Sequence, residues 1–182
     1  MPLIPYADPN ALPEEMQASL ARLPPLNIFR MWANAATCFV PGIRYGGAIL
    51  TKQKLAPALR ELIVLAVGRI EAATYEWVQH VPIAKGVGVR EDQIAAIEAD
   101  CFDDGAFNEQ ERILLRLTRE IVRDVRASEW AMNEAKNYFS AQEITEIILT
   151  VGFYMTIARL TETTRVDIDA PPGVAIPAFA RS

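Results

Sequence analysis

The sequence predicts an all-α protein, and three observations carry that prediction. Apolar residues recur with helical spacing along nearly the whole chain, no run of alternating β-branched residues is long enough for a sheet, and cap-forming residues stand at the head of several periodic segments. A chain of 182 residues with 51% hydrophobic composition suits one globular domain, or two small helical lobes sharing one core.

The first ten residues, with prolines at 2, 5 and 9, predict an extended arm of the kind that packs on another subunit. Pro13-Glu14-Glu15 then opens a short helix that ends before Pro24-Pro25. Two helices are expected at about 27–38 and 42–52, separated by Pro41-Gly42. A central helix begins near Pro57 and buries Leu59, Leu62, Ile63, Leu65, Ala66 and Ile70. Thr74 is expected to cap the next helix, which Pro82 bends just past His80 and Lys85-Gly86-Val87-Gly88 ends. Glu91 to Ala99 forms another helix before the acidic loop 101–105. Asn108 with Glu111, Ser128, and Ser140 with Glu143 predict the N-termini of the last three helices, the final one running to about Thr164. Its apolar surface is too broad for one neighbour to cover, so burial on several sides or against another subunit is expected. Ala170-Pro171-Pro172-Gly173 reads as loop.

The net charge of −5 is spread over interspersed residues, and no basic block follows a phosphate backbone, so nucleic acid is not an expected partner. The N-terminus lacks the basic and apolar regions of a secretory signal, and the longest apolar run, residues 62–68, is too short to span a bilayer. Cys38 and Cys101 show no ligand-like or C-x-x-C spacing. These features predict a cytoplasmic protein with free thiols and no membrane partner.

Chemistry concentrates between Arg60 and His80. His80 is the single histidine of the chain and follows Glu76 by four residues, which stacks the pair on one helical face. Imidazole titrates near neutrality, so a carboxylate beside it makes a proton-handling pair, and any histidine-dependent chemistry must run through His80. Glu61 lies in the middle of an apolar helix, where a carboxylate needs a partner: a basic neighbour such as Arg60 or Arg69, or a catalytic one. Tyr75 offers a phenol to the same set or packs through its ring, and Trp77 and Tyr154 are candidate pocket walls. A divalent ion held by His80, Glu61 and Glu76 would lack a second histidine, and neither metal nor cofactor is expected.

The segment Arg60-Glu61-Leu62-Ile63-Val64-Leu65 followed by Tyr75-Glu76-Trp77 and His80 resembles the carboxymuconolactone decarboxylase family, which includes alkylhydroperoxidase D-like proteins. The similarity continues through Gly86-Val87-Gly88-Val89 and Gln93-Ile94, and the stretch from Glu143-Ile144 to Ala158-Arg159-Leu160 resembles the longer members. The resemblance implies an alkylhydroperoxidase D-like helical bundle that assembles into a homo-oligomer, a dimer, trimer or hexamer. It divides the chain into an N-terminal arm with helices (1–54), the family-like core (55–165) and a tail (166–182), within one compact unit.

The peroxidase branch of that family carries a glutamate, eleven residues, Cys-x-x-Cys, three residues and a histidine. Glu61 and His80 occupy the outer positions of this pattern, while Ala73 and Glu76 stand in place of the cysteines. Dithiol peroxidase chemistry needs a thiolate and a partner sulfur, so it is disfavoured. The remaining set of Glu61, Tyr75, Glu76 and His80 implies cofactor-free acid–base chemistry, decarboxylation or isomerisation, on a small organic acid or lactone. Arg60, Lys85 and Arg159 are candidate anchors for a substrate carboxylate. The alternative from another class is a non-catalytic helical oligomer that binds a small molecule or partner.

Overall fold

The computed structural model describes residues 1–169, and every regular element among them is helical. A short 3₁₀ turn at Pro9–Ala11 precedes α1 (Glu14–Leu20), α2 (Asn27–Trp32), α3 (Ala36–Thr51), α4 (Pro57–Ile70), α5 (Thr74–Gly86), α6 (Glu91–Glu98), α7 (Glu109–Asp124), α8 (Glu129–Ala135) and α9 (Ala141–Thr164).

The centre of the molecule is α4. Its run Leu62-Ile63-Val64-Leu65-Ala66-Val67 is apolar around the whole helix, so it is stable only when surrounded, and every one of these residues is buried. The surrounding helices are α5, α6, α7 and α9. Within this core α7 is amphipathic, turning Leu114, Leu115 and Leu117 inward beneath an arginine-rich outer face, and α9 contributes Ile144, Ile147, Val151 and Tyr154. By length and composition α9 could cross a membrane, yet here it packs against α3, α4, α5 and α7 as the long core helix.

The expected N-termini of α7, α8 and α9 form as read. Asn108, Ser128 and Ser140 each accept a backbone N–H from the third residue onward, and Glu111 and Glu143 complete capping boxes.

The segment before the core folds back onto it. Leu26, Ile28 and Met31 pack with Tyr75 of α5 and Ile157 of α9, and Met16, Phe39 and Val40 form a smaller cluster beneath α1 and α3. The N-terminal arm lies on its own chain: Leu3 N–H donates to the Thr164 carbonyl at 2.8 Å and Ala7 N–H to the Arg30 carbonyl at 3.1 Å.

Three local expectations change. The break expected at Pro41-Gly42 falls earlier, because Asn34 turns its side-chain amide onto the Met31 and Pro5 carbonyls and closes a turn after Trp32. Pro41 is thereby absorbed inside α3, and α5 likewise continues through Pro82 to Gly86. Thr74 is the first residue of α5 rather than its cap; Ala73 holds the cap position without a side-chain bond, after Ala72 turns the chain at a φ of 53°. The loop reading for 170–173 lies outside the described residues.

Candidate active site

Arg60 and Glu61 come from α4, and Tyr75, Glu76, Gln79 and His80 from the facing side of α5, with Tyr154 from α9 closing over them. Glu61 is fully buried, and its two oxygens serve two partners. One accepts from Arg60 Nε at 3.1 Å, and the other lies 2.8 Å from His80 Nδ1. Across the ring, His80 Nε2 faces Glu76 Oε2 at 3.6 Å, an ionic contact longer than a direct hydrogen bond. The Tyr154 ring stands edge-on to the imidazole with centroids 5.1 Å apart, which fixes the ring plane. The result is a buried row, Arg60–Glu61–His80–Glu76.

A cavity of about 90 Å³ opens at the His80 and Glu76 end of this row. Its walls are apolar and partly aromatic, including Ile28, Phe29 and Trp32 of α2, Ile43 and Leu50 of α3, and Phe153 and Ile157 of α9. Among the described residues, Tyr75, Glu76, Gln79, His80 and Tyr154 bring polar side chains to it, and no lysine or arginine lines it.

Burial shapes the protonation of this set. Desolvation drives Glu76 upward; the His80 charge opposes it and the Glu61 and Glu162 charges add to it, leaving the carboxyl at about 7. Burial lowers His80, but the charge and hydrogen bond of Glu61 together with the charge of Glu76 outweigh it, so the imidazole lies above its usual range. Tyr75 and Tyr154 are both pushed well above the ordinary phenol range, chiefly by burial. A carboxyl near 7 beside an imidazolium suits proton exchange at neutral pH, because it supplies both protonation states.

The other sequence candidates are distributed differently. Arg60 is buried and donates through Nε to Glu61 and through Nη1 to the Leu50 carbonyl at 2.8 Å, while its Nη2 has no hydrogen-bond partner among the described residues; it stands outside the cavity lining. Trp77 is half-buried against the main core and borders a separate surface groove with Arg69 and Glu98, so it is not a wall of the cavity. Lys85 pairs with Glu91 and Arg159 with Glu71, both outside the pocket. Tyr75 lines the cavity, but its hydroxyl is engaged by Asp169. Sequence reasoning missed Asp169, Phe153 and the α2 wall; the regular apolar spacing of α2 marked burial but gave no sign of what it would cover. Cys38 and Cys101 are free and exposed.

Comparison with known proteins places this architecture. The chain has the alkylhydroperoxidase D-like fold: it superimposes on the alkylhydroperoxidase AhpD core of an uncharacterized peroxidase-related protein from Ralstonia eutropha JMP134 with a TM-score of 0.83 at 16% identity, over 97% of this chain and 96% of the other. An uncharacterized peroxidase-related protein from Silicibacter sp. TM1040 gives a TM-score of 0.79 at 17% identity, covering 94% and 93%. A cysteine-to-alanine variant of the debrominase Bmp8 in complex with 2,3,4-tribromopyrrole gives 0.76 at 16% identity, covering 97% of each chain. Residues 43–120, which hold α4, α5 and the whole Glu61–His80 pair, match the family model of the carboxymuconolactone decarboxylase family. No curated protein sequence matches the chain significantly.

Proposed function

We propose that the protein is a cofactor-independent acid–base catalyst, decarboxylating or isomerising a small organic acid or lactone in the α2–α5–α9 pocket. The observation that carries this reading is the continuous contact from Glu61 through His80 to Glu76, ending at an apolar cavity. Glu76 exchanges the proton with the substrate, His80 balances and relays its charge, and Glu61 with Arg60 orients the imidazolium so that Nδ1 donates to Glu61 and Nε2–H faces the cavity end of the row. Ala73 and Glu76 at the thiol positions weigh against dithiol peroxidase activity. The bromopyrrole complex of Bmp8 supports the assignment of a small ring-sized ligand to this fold.

The test is carbon dioxide release from, or solvent-deuterium incorporation into, a panel of small keto acids and lactones. The wild type is expected to catalyse one of these, and a Glu61→Gln/His80→Ala double variant that retains full turnover overturns the assignment.

A homo-oligomer is part of the proposal. Tyr45, Ile148 and Leu149 are more than 40% exposed, and the Tyr45 hydroxyl donates to the Leu149 carbonyl, so they form one apolar patch on α3 and α9. Light scattering of wild type against Ile148→Glu/Leu149→Glu tests it, a smaller mass being expected for the variant. Two exposed free thiols suit a reducing compartment, the basis for a cytoplasmic location.

A further inference from the structure

The acid–base reading leaves open whether the substrate carries a carboxylate. Loss of carbon dioxide requires one, and a carboxylate brought into an apolar cavity needs a cation or several donors to replace its water. The pocket offers few: besides Tyr75 and Glu76, its polar side chains among the described residues are Gln79, Tyr154 and the His80 edge that Glu76 already faces, with the Trp32 indole. Among the described residues its lining holds no lysine or arginine, Arg60 stands behind the lining and bonds Glu61 and the Leu50 carbonyl through Nε and Nη1, and Tyr75 donates away to Asp169. The acid–base row reaches the cavity through His80 and Glu76, the latter a carboxylic group buried to 5% exposure. His80 is bracketed by two carboxylates, at 2.8 Å and 3.6 Å, so a third anion would compete with Glu76 for one imidazole edge.

Size points the same way. An apolar cavity of about 150 Å³ admits benzene, so about 90 Å³ between Phe29, Trp32 and Phe153 matches the reacting part of a five-membered ring.

Resting on the acid–base function proposed above, we infer that the substrate is an uncharged unsaturated lactone or comparable cyclic carbonyl compound, and that the reaction is a proton shift within it rather than decarboxylation. The ionised Glu76 takes a proton from the carbon next to the carbonyl. That C–H bond breaks, an O–H bond forms on Glu76, and the electron pair passes into a dienolate whose oxygen faces the His80 Nε2–H. Glu76 returns the proton to the distal carbon, the double bond moves into conjugation with the carbonyl, and the carboxylate is regenerated. No oxidant, reductant or second substrate is consumed.

The experiment compares two probes in deuterated buffer by proton NMR: α-angelica lactone, which is uncharged, and the same lactone carrying an acetate side chain in place of its methyl group. The wild type is expected to isomerise and deuterate the uncharged ring with a kcat/KM at least about tenfold above that for the acid, a factor set by one unpaired buried charge. Glu76→Gln is expected to abolish this exchange, and Ile43→Lys, which adds a cation to the wall, to narrow the preference. Faster turnover of the acid by the wild type, or carbon dioxide release from keto acids with no exchange into either lactone, overturns the inference while leaving acid–base function standing. Absence of both exchange and carbon dioxide release across all the substrates removes the function and the inference together.

Discussion

The Tyr75 hydroxyl donates to Asp169 Oδ2 at 2.5 Å, joining the first turn of α5 to the segment that follows α9. The same carboxylate accepts the Asn27 N–H at 3.0 and 3.2 Å from its two oxygens. It therefore caps α2, whose own N-cap residue, Leu26, has no side-chain acceptor. One residue far along the chain holds both the wall that carries Ile28, Phe29 and Trp32 and the phenol at the pocket edge.

Removing that carboxylate exposes both dependencies. Asp169→Ala is expected to destabilise the protein by about 1–2 kcal/mol through the lost cap, with about 1–3 kcal/mol more for the unpaired Tyr75 hydroxyl. Tyr75→Phe in the Asp169→Ala background should recover the second part, because no polar group is then stranded. Urea denaturation of the two single variants and the double variant measures this, and strictly additive losses would show that the two residues do not act together.

Protonation of the site makes stability depend on pH in a defined direction. Glu76 moves from an ordinary value of 4.5 to about 7 in the fold, so the folded state binds a proton that the unfolded chain releases between those values. Its contribution is full below about 4.5 and is lost as pH rises to about 7, a change on the order of 3 kcal/mol. His80 acts in the same sense: its folded value is raised, so its contribution is complete below the unfolded value and fades as pH climbs through the folded one. The melting temperature of the wild type should fall from pH 5 to pH 8. Glu76→Gln should flatten this slope over that interval, and an unchanged slope in the variant would remove Glu76 as its source.

Glu61 is the keystone of the buried row, because it pairs with Arg60 and His80 together. Glu61→Ala leaves a buried guanidinium with only the Leu50 carbonyl, and about 3–5 kcal/mol of stability should be lost. Glu61→Gln retains an acceptor and should be milder. It also removes the charge that holds His80 up, so burial prevails and the imidazole should titrate lower than in the wild type. His80 is the only histidine, so its NMR titration is read without assignment, and an unshifted midpoint would separate the two residues.

Much of this was legible in the sequence because it is local. The capping boxes at Asn108/Glu111 and Ser140/Glu143, the all-round apolar run of α4 and the turn-spaced Glu76/His80 pair each follow from residues within one or two turns of each other. What escaped depends on distant partners. Asp169 meets Asn27 and Tyr75 across 142 and 94 positions, and nothing in its neighbours marks it as a cap. Trp77 and Phe153 are equally aromatic in sequence, yet only the rotation of their helices puts Phe153 in the pocket and Trp77 outside it. Pro41 suggests a break because proline usually ends a helix, whereas the turn is made by Asn34 bonding back to Met31 and Pro5.

Two adjacent glycines of α3 test how tightly the pocket wall is packed. A Cβ added at Gly46 would lie 2.6 Å from Phe153 Cζ, with two more ring atoms at 3.2 and 3.3 Å. The ring has little room to retreat, since Trp32, Tyr45 and Tyr154 stand around it with centroids 6.1, 5.4 and 5.3 Å away. Gly46→Ala should therefore cost about 1–3 kcal/mol through overpacking, despite the better helix propensity of alanine. A Cβ at Gly47 meets no neighbouring atom within 4 Å, so Gly47→Ala should be neutral or stabilising by up to about 1 kcal/mol. Denaturation midpoints of the two variants give the comparison directly. Equal effects at both positions would mean that Phe153 yields freely, and with it the aromatic wall that faces Glu76 and His80.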